Sequence, residues 1–393
     1  MSIPLNESFV SSVTAISLPL KVSFFPTDLA EASNVNLPAG KFRFSSVLII
    51  SMPTAPVAPT AAPTKPVARP ADAGETSHLR NIRQLTFGGS NAEAYFSRDG
   101  QWITYQAQIP GQAHQCDLQY VMKVDGTART RVSPNAGKTT CGWFLPDGKR
   151  LFFGSTHMAD SACPPVPDPS KGYVWGIDPY DIYTVNRDGS GLKRLTNYGV
   201  YTAEGVLSPD GRRIVFTSLK GGDLDIYTMN VDGTDVKQLT TTPGYDGGPW
   251  WSPDGKQIVY RAYHPTDSTE LSQYRDLLKQ NMIRPNKMDL YVMNADGSNQ
   301  RQITHLGGAS FGPSWTHDGK RIIFSSNYTN PKSRNFDLYL VNVDGSGLEQ
   351  VTHNTEFDGF PIFSPDGKKL LWASNRYGSQ PHETNLFMAD WKP

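Results

Sequence analysis

Residues 230–260 read NVDGTDVKQLTTTPGYDGGPWWSPDGKQIVY, and two turn signals punctuate them. Asp232-Gly233 separates YTMNV from VKQLT, and Asp254-Gly255 separates GPWWS from KQIVY. An Asp-Gly pair between short runs of β-branched and aromatic residues is a strong hairpin signal, because glycine accepts the positive φ of a tight turn. The first kind of turn returns at Gly126, Gly189, Gly297 and Gly345, and the second at Gly100, Gly148, Gly211, Gly319 and Gly367. From a first-kind glycine to the next second-kind glycine the step is always 22 residues: 126 to 148, 189 to 211, 233 to 255, 297 to 319 and 345 to 367. The return step varies, from 211 to 233 up to 255 to 297. One connection is fixed in length and the other is free.

Six units of four short strands, at a period of roughly 45–50 residues apart from two insertions, predict an all-β chain folded as a six-bladed β-propeller with four-stranded blades. The ends predict how the ring closes. Arg83-Gln84-Leu85-Thr86 matches the fourth strands Lys193-Arg194-Leu195-Thr196 and Lys237-Gln238-Leu239-Thr240, yet no third strand precedes it. Residues 385–391, NLFMADW, form a third strand with no fourth after it. Paired, the two complete one blade and remove an open sheet edge.

The repeats occupy residues 79–393, and residues 1–78 read as a disordered, low-complexity tail. Within it, PTAPVAPTAAPTKPVARP at 53–70 has the composition of an extended linker, and KFRFSSVLIISM at 41–52 resembles a degenerate export signal. Nowhere do eighteen apolar residues run together, so no membrane-spanning helix is expected. Thirty-seven Lys and Arg balance 37 Asp and Glu. With both signs scattered, nucleic acid is not an expected partner, and a monomer is expected.

In a propeller, the Asp-Gly hairpins lie on one face, while the second-to-third strand loops and the connections between blades lie on the other. Two of those loops are long, at 154–180 and 261–288. In the second, Asp267-Ser268-Thr269-Glu270 has the pattern of a capping box, and Leu271, Tyr274, Leu278 and Met282 share a helical face before Pro285. The first strands begin on the same face. Counted back from each second-kind glycine, they place Glu93, Glu204, Asp246 and Asp358 toward the axis. With His264, Glu270, Arg261 and His157 from the long loops, these make the expected binding face. Such an acidic mouth suits a hard cation, calcium or another divalent ion, or a basic peptide segment; the plainer alternative is a solvated polar funnel.

Cys116, Cys141 and Cys163 also fall on this face. Either one disulfide forms among them, which implies an oxidising compartment, or they are free buried thiols. Asp181, Asp225, Asp289 and Asp337 each open a third strand, and their recurrence points to a hydrogen bond that fixes the blade. Trp143, Trp250, Trp251, Trp315 and Trp372 read as packing between blades. Gly308-Ala309-Ser310-Phe311-Gly312 matches GxSxG but leads into an inner strand with no helix behind it, the wrong context for a nucleophile elbow. No P-loop, dinucleotide fingerprint or HExxH helix is present. A non-catalytic binding module fits these features. The alternative is a metal-assisted lyase or hydrolase, or an enzyme-gating propeller, with His264 or a mouth carboxylate as general base.

Ser208-Pro209-Asp210-Gly211, Ser252-Pro253-Asp254-Gly255 and Ser364-Pro365-Asp366-Gly367, together with Asp225-Ile226-Tyr227 and Val231-Asp232-Gly233-Thr234, closely resemble the PD40, or WD40-like, repeats of the TolB propeller family. The resemblance covers residues 83–391. It implies an exported protein of the bacterial periplasm or cell envelope whose task is protein binding, with an envelope protein or peptide segment as partner; TolB's own implied partner is a lipoprotein anchored to peptidoglycan. TolB proper carries a folded α/β domain before its propeller, where this sequence has low-complexity residues. Similar repeats also occur in oligogalacturonate lyases and in the propellers of prolyl-peptidase relatives.

Overall fold

The computed structural model describes residues 65–393. The stretch at 41–52 and most of the low-complexity tail lie outside the described residues. Six antiparallel sheets surround a common axis; five are built from strands in chain order, and the sixth joins strands from both ends of the described residues. The innermost strands of blades one to six are Ser90–Phe96, Thr139–Phe144, Thr202–Leu207, Tyr245–Trp251, Ser310–Trp315 and Asp358–Phe363. Buried aliphatic and aromatic side chains fill the spaces between neighbouring blades. One such cluster joins Val215, Ile226 and Val206 of blade three to Trp251, Ile258 and Tyr260 of blade four.

The repeated sequence signs are hydrogen-bond devices. In each second-kind turn the aspartate Oδ1 accepts a backbone N–H two residues on, as Asp210 does from Arg212 at 3.0 Å and Asp254 from Lys256 at 3.0 Å. The serine of Ser-Pro-Asp-Gly donates its hydroxyl to the same oxygen, at 2.6 Å for Ser208 and 2.7 Å for Ser252. The glycine then takes φ of +75° at Gly211 and +70° at Gly255, where a side chain would be strained. The third-strand aspartates accept the threonine hydroxyl that ends the fourth strand: Asp181 from Thr196 at 2.8 Å, Asp225 from Thr240 at 3.2 Å and Asp289 from Thr304 at 2.9 Å. This latch ties the outer strand of a blade to its neighbour, as expected.

Closure follows the expected route. Leu79–Gln84 pairs antiparallel with Asn385–Trp391, Gln84 opposite Phe387, and Leu386 N–H donates to Thr86 Oγ1 at 2.8 Å. The sixth blade also takes a fifth strand, Val67–Ala68, from residues that the sequence reading assigned to the tail. Glu75, from the same segment, is fully buried against Arg376. The blade therefore recruits chain upstream of residue 79.

The two long loops meet on the face opposite the hairpins. Asp267 caps the helix Ser268–Leu278 by accepting the N–H groups of Thr269 and Glu270, both at 2.8 Å, and Glu270 reaches back to Thr266 N–H. Beyond the helix, Met282–Ile283 pairs with Trp175–Gly176 of the other loop. Met282 thus belongs to a strand, not to the helix face predicted for it. Tyr274, buried, anchors the helix by donating to Asp223 at 2.5 Å. Among the described residues no helix is long and apolar enough to cross a membrane.

Candidate functional site

Every inner strand carries a bulge at the same place. Register shifts occur between Ala92 and Tyr95, Thr140 and Trp143, Ala203 and Val206, Gly247 and Trp250, Phe311 and Ser314, and Gly359 and Ile362. Within each bulge one residue has positive φ: Glu93 +48°, Cys141 +49°, Glu204 +59°, Gly248 +57°, Gly312 +58° and Phe360 +56°. All six stand seven residues before a second-kind glycine. Two are glycines, for which this conformation carries no penalty. The other four hold a side chain where the left-handed region costs about 1–2 kcal/mol.

These six residues border a small cavity on the axis, roughly 40 Å³, with Arg261 beside it. Glu93 accepts from Cys141 Sγ at 2.6 Å and from Tyr95 Oη at 3.0 Å. Burial pushes the Glu93 carboxyl up and nearby Glu204 adds to this, against the opposing thiol hydrogen bond. Burial and Glu93 likewise push Cys141 well up, which keeps it a thiol and a poor nucleophile. Glu204 forms an ion pair with Arg261 and accepts Gly248 N–H at 2.9 Å. Arg261 also donates to Tyr245 Oη, at 3.0 Å from Nε and 2.7 Å from Nη2. Burial opposes the guanidinium charge, but Glu204 together with the Tyr245 and Tyr201 hydroxyls outweighs it and holds the pKa above the usual value.

The expected ring of four carboxylates does not form. Asp246 and Asp358 are completely buried and turned into the blades. Asp246 binds His264 Nε2 at 2.9 Å. Asp358 binds Arg376 at 2.8 Å and accepts from Trp372 Nε1 at 3.1 Å, while Arg376 also binds Glu75. The physical reason is the bulge, which breaks the alternation that would have aimed residues nine and seven before the glycine at the same side. One sequence signal was available. The partners stand nine residues after the same glycine, 255 to 264 and 367 to 376, so an aspartate nine before is matched by a cation nine after. Burial and Asp246 raise Asp225 to about 7, and burial and Asp358 do the same for Asp337.

The remaining expected site residues lie apart from the axis. Glu270 serves the helix cap and pairs with Lys287 at 2.9 Å, which together hold its pKa down to about 2. His157 shares a hydrogen bond with Ser155 Oγ at 2.8 Å, and its ring lies tilted against that of Tyr183. Ser310 of the GxSxG match is buried against Ser326 Oγ at 3.1 Å. Cys116 and Cys163 form a disulfide that ties the 154–180 loop to blade one, and Cys141 stays free. The loops cover this end of the channel: Trp175 lies between Arg261, 5.2 Å from its ring, and Phe311, and the Glu204 and Arg261 side chains retain 12% and 8% exposure.

The other end is open and apolar. Tyr95, Trp143 and Trp250, each five residues before a second-kind glycine, meet at the axis with ring centroids 4.9–5.7 Å apart. On their outer side lies a cavity of roughly 240 Å³, walled by Phe96, Phe144, Leu207, Trp251, Trp315 and Phe363. Its rim is the residue before each turn aspartate: Arg98, Pro146, Pro209, Pro253, His317 and Pro365. Trp251 and Trp315 pack between blades as expected; Trp143 and Trp250 pack against the inter-blade clusters too, and they also form the funnel floor, a second role that the sequence reading missed. Their common offset from the glycine was the sign that they share a level.

Residues 177–276 match the family described as PD40, the TolB beta propeller domain. The fold is that of a TolB-like propeller. TolB from Agrobacterium tumefaciens is similar, 18% identical at a TM-score of 0.52, over 78% of this chain and 91% of that one. TolB from Acinetobacter baumannii is 16% identical at 0.50, over 78% of this chain and 65% of that one. An oligogalacturonate lyase in complex with manganese is 14% identical at 0.49, over 83% and 96%. At such identities the likeness speaks for the fold alone. No curated protein matches the sequence.

Proposed function

We propose that this TolB-like propeller is a non-catalytic protein-binding module, exported to the bacterial periplasm or cell envelope, that receives an apolar side chain of a protein partner in the hairpin-face funnel. The observation that carries this reading is the contrast in what each end offers a ligand. The funnel is open, roughly 240 Å³, and floored by Trp143 and Trp250. Its proline-bearing rim is held by turn hydrogen bonds, so little ordering is left to oppose binding. At the other end the groups an enzyme would use are already committed to one another: Glu204 to Arg261, His264 to Asp246, and Cys141 to Glu93. A metal-assisted lyase would need a base open to substrate, and these side chains face inward.

The test is capture from envelope extract by the full chain, identification of the partner, and titration of that partner against variants. Pro209→Glu with Pro365→Glu places two carboxylates on the rim and is expected to weaken binding by about tenfold or more, equivalent to about 1.4 kcal/mol. Met158→Glu with Val166→Glu, on the exposed 154–180 loop, is expected to leave it unchanged. Binding should also perturb the fluorescence of Trp143 and Trp250. The opposite pattern, loss with the loop variant and none with the rim variant, would overturn the funnel as the recognition site.

A further inference from the structure

The disulfide does not account for everything placed around it. His114 stands two residues before Cys116, in the loop between the second and third strands of blade one, and its Nε2 lies 3.9 Å from Cys163 Sγ. One ligand atom from each of His114, Cys116 and Cys163 lies within 4.8 Å of the other two, and among the described residues no other three His, Cys, Asp or Glu side chains approach so closely. Three chain segments are fastened here. His114 Nε2 is 2.6 Å from Gly137 O, and Gly137 N–H donates to Ser161 O at 2.7 Å, so the blade-one loop, the blade connection and the long loop brace the cluster. Cys116 is buried while His114 and Cys163 are half-buried, which leaves the group reachable from solvent.

We infer that, in the reduced protein, Cys116, Cys163 and His114 bind a thiophilic metal ion of the zinc class, with two thiolates and one imidazole as ligands and a fourth position open to solvent. Tetrahedral zinc with Zn–S near 2.3 Å and Zn–N near 2.0 Å sets its sulfurs about 3.8 Å apart and sulfur and nitrogen about 3.5 Å apart. The His114 Nε2 to Cys163 Sγ separation of 3.9 Å is already close to this, so the movements required are the parting of the two sulfurs and the turning of Nε2 away from Gly137 O. In the disulfide state Nε2–H donates to Gly137 O; moving the proton to Nδ1 frees the Nε2 lone pair for a metal. The chemistry balances as follows. A dithiol or phosphine reductant supplies two electrons, two protons convert the disulfide to two thiols, and the metal then displaces both thiol protons, so binding strengthens as pH rises. Disulfide and metal are alternative ties between blade one and the same long loop.

Cobalt is the probe, because thiolate ligation to tetrahedral cobalt gives a charge-transfer band. The full chain, reduced with a phosphine and desalted, is titrated with cobalt and then zinc beside the untreated protein. The expected result is about one cobalt per reduced chain with that band, its displacement by zinc, and no band in the disulfide form. Cys163→Ser, at a half-buried loop position that leaves the ring intact, should abolish the band. His114→Ala should keep a weaker complex, with affinity lowered by more than the roughly 10–100-fold that loss of a mere orienting partner costs. Absence of the band in reduced wild type, or unchanged affinity in His114→Ala, would overturn the inference.

Discussion

The two ends of the channel reach rigidity by different means. At the hairpin end all six blades contribute the same turn, an aspartate accepting local N–H groups beside a glycine at positive φ, and the result is a regular rim around an apolar hollow. At the loop end only blades two and four carry long insertions. There order comes from single pairings across the chain: Glu204 with Arg261, Asp246 with His264, and Asp358 with Arg376 and Glu75. Repetition spreads the hairpin end's stability over many weak local contacts. The loop end concentrates it in a few buried charges, each costly to orphan.

That contrast can be broken at its strongest point. Arg376→Met leaves Asp358 and Glu75, both fully buried, without their cation and is expected to lower stability by about 3–5 kcal/mol in denaturant titration. Arg98→Ala on the exposed rim should stay within about 0.5 kcal/mol. Equal losses would mean that the two ends do not differ as described. A cycle at the channel sharpens the point: Arg261→Met should cost about 3 kcal/mol, while Arg261→Met with Glu204→Leu should recover most of it. Failure of the double variant to recover would show that packing around Tyr245 and Trp175, not the charge, holds that end.

A smaller effect separates the two kinds of carboxylate by pH. Asp225 and Asp337 sit near 7 in the folded protein. The folded state therefore binds those protons more tightly than the unfolded chain. Their contribution to stability is full below about pH 4 and lost as pH rises through about 7. The turn aspartates Asp99, Asp210, Asp254 and Asp366 are held below their ordinary values by hydroxyl and backbone hydrogen bonds. Their contribution is present above about pH 4 and lost as pH falls through the folded values. Tm should accordingly peak near about pH 4 and fall from there toward about pH 7, and Asp225→Asn with Asp337→Asn should flatten only that alkaline side. A Tm still rising through pH 8 in wild type would contradict this. Smallest of all, Asp267→Ala removes a helix cap and should cost about 1 kcal/mol, read as faster hydrogen exchange confined to residues 268–278.

What could be read in the sequence was what repeats. Asp-Gly spacing, the third-strand aspartates and the mismatched end strands each recur or complete one another, and together they specify blade number, strand order and closure. The Asp267 to Glu270 cap was legible because capping depends on nearest neighbours. Side-chain direction near the axis was not. Period-two alternation aims Asp246 and Gly248 alike, and nothing within one repeat announces that a bulge will turn the first into the blade and the second to the axis. Cysteine pairing was equally hidden, since Cys116 and Cys163 meet only after the long loop folds back across blade one. The funnel role of Trp143 and Trp250, added to their packing between blades, was hidden because an aromatic on an inner strand shows its level on the axis only once the ring is built.

One consequence of the closing strand concerns synthesis. Leu386 and Thr86 stand 300 residues apart, yet their hydrogen bond helps seal the ring. A growing chain must therefore carry Leu79–Gln84 as a bare, adhesive edge while five blades are made, and that edge meets its rightful neighbour only when Asn385–Trp391 leaves the ribosome. During that interval, holdase chaperones would find their most exposed target in this early strand of the nascent propeller.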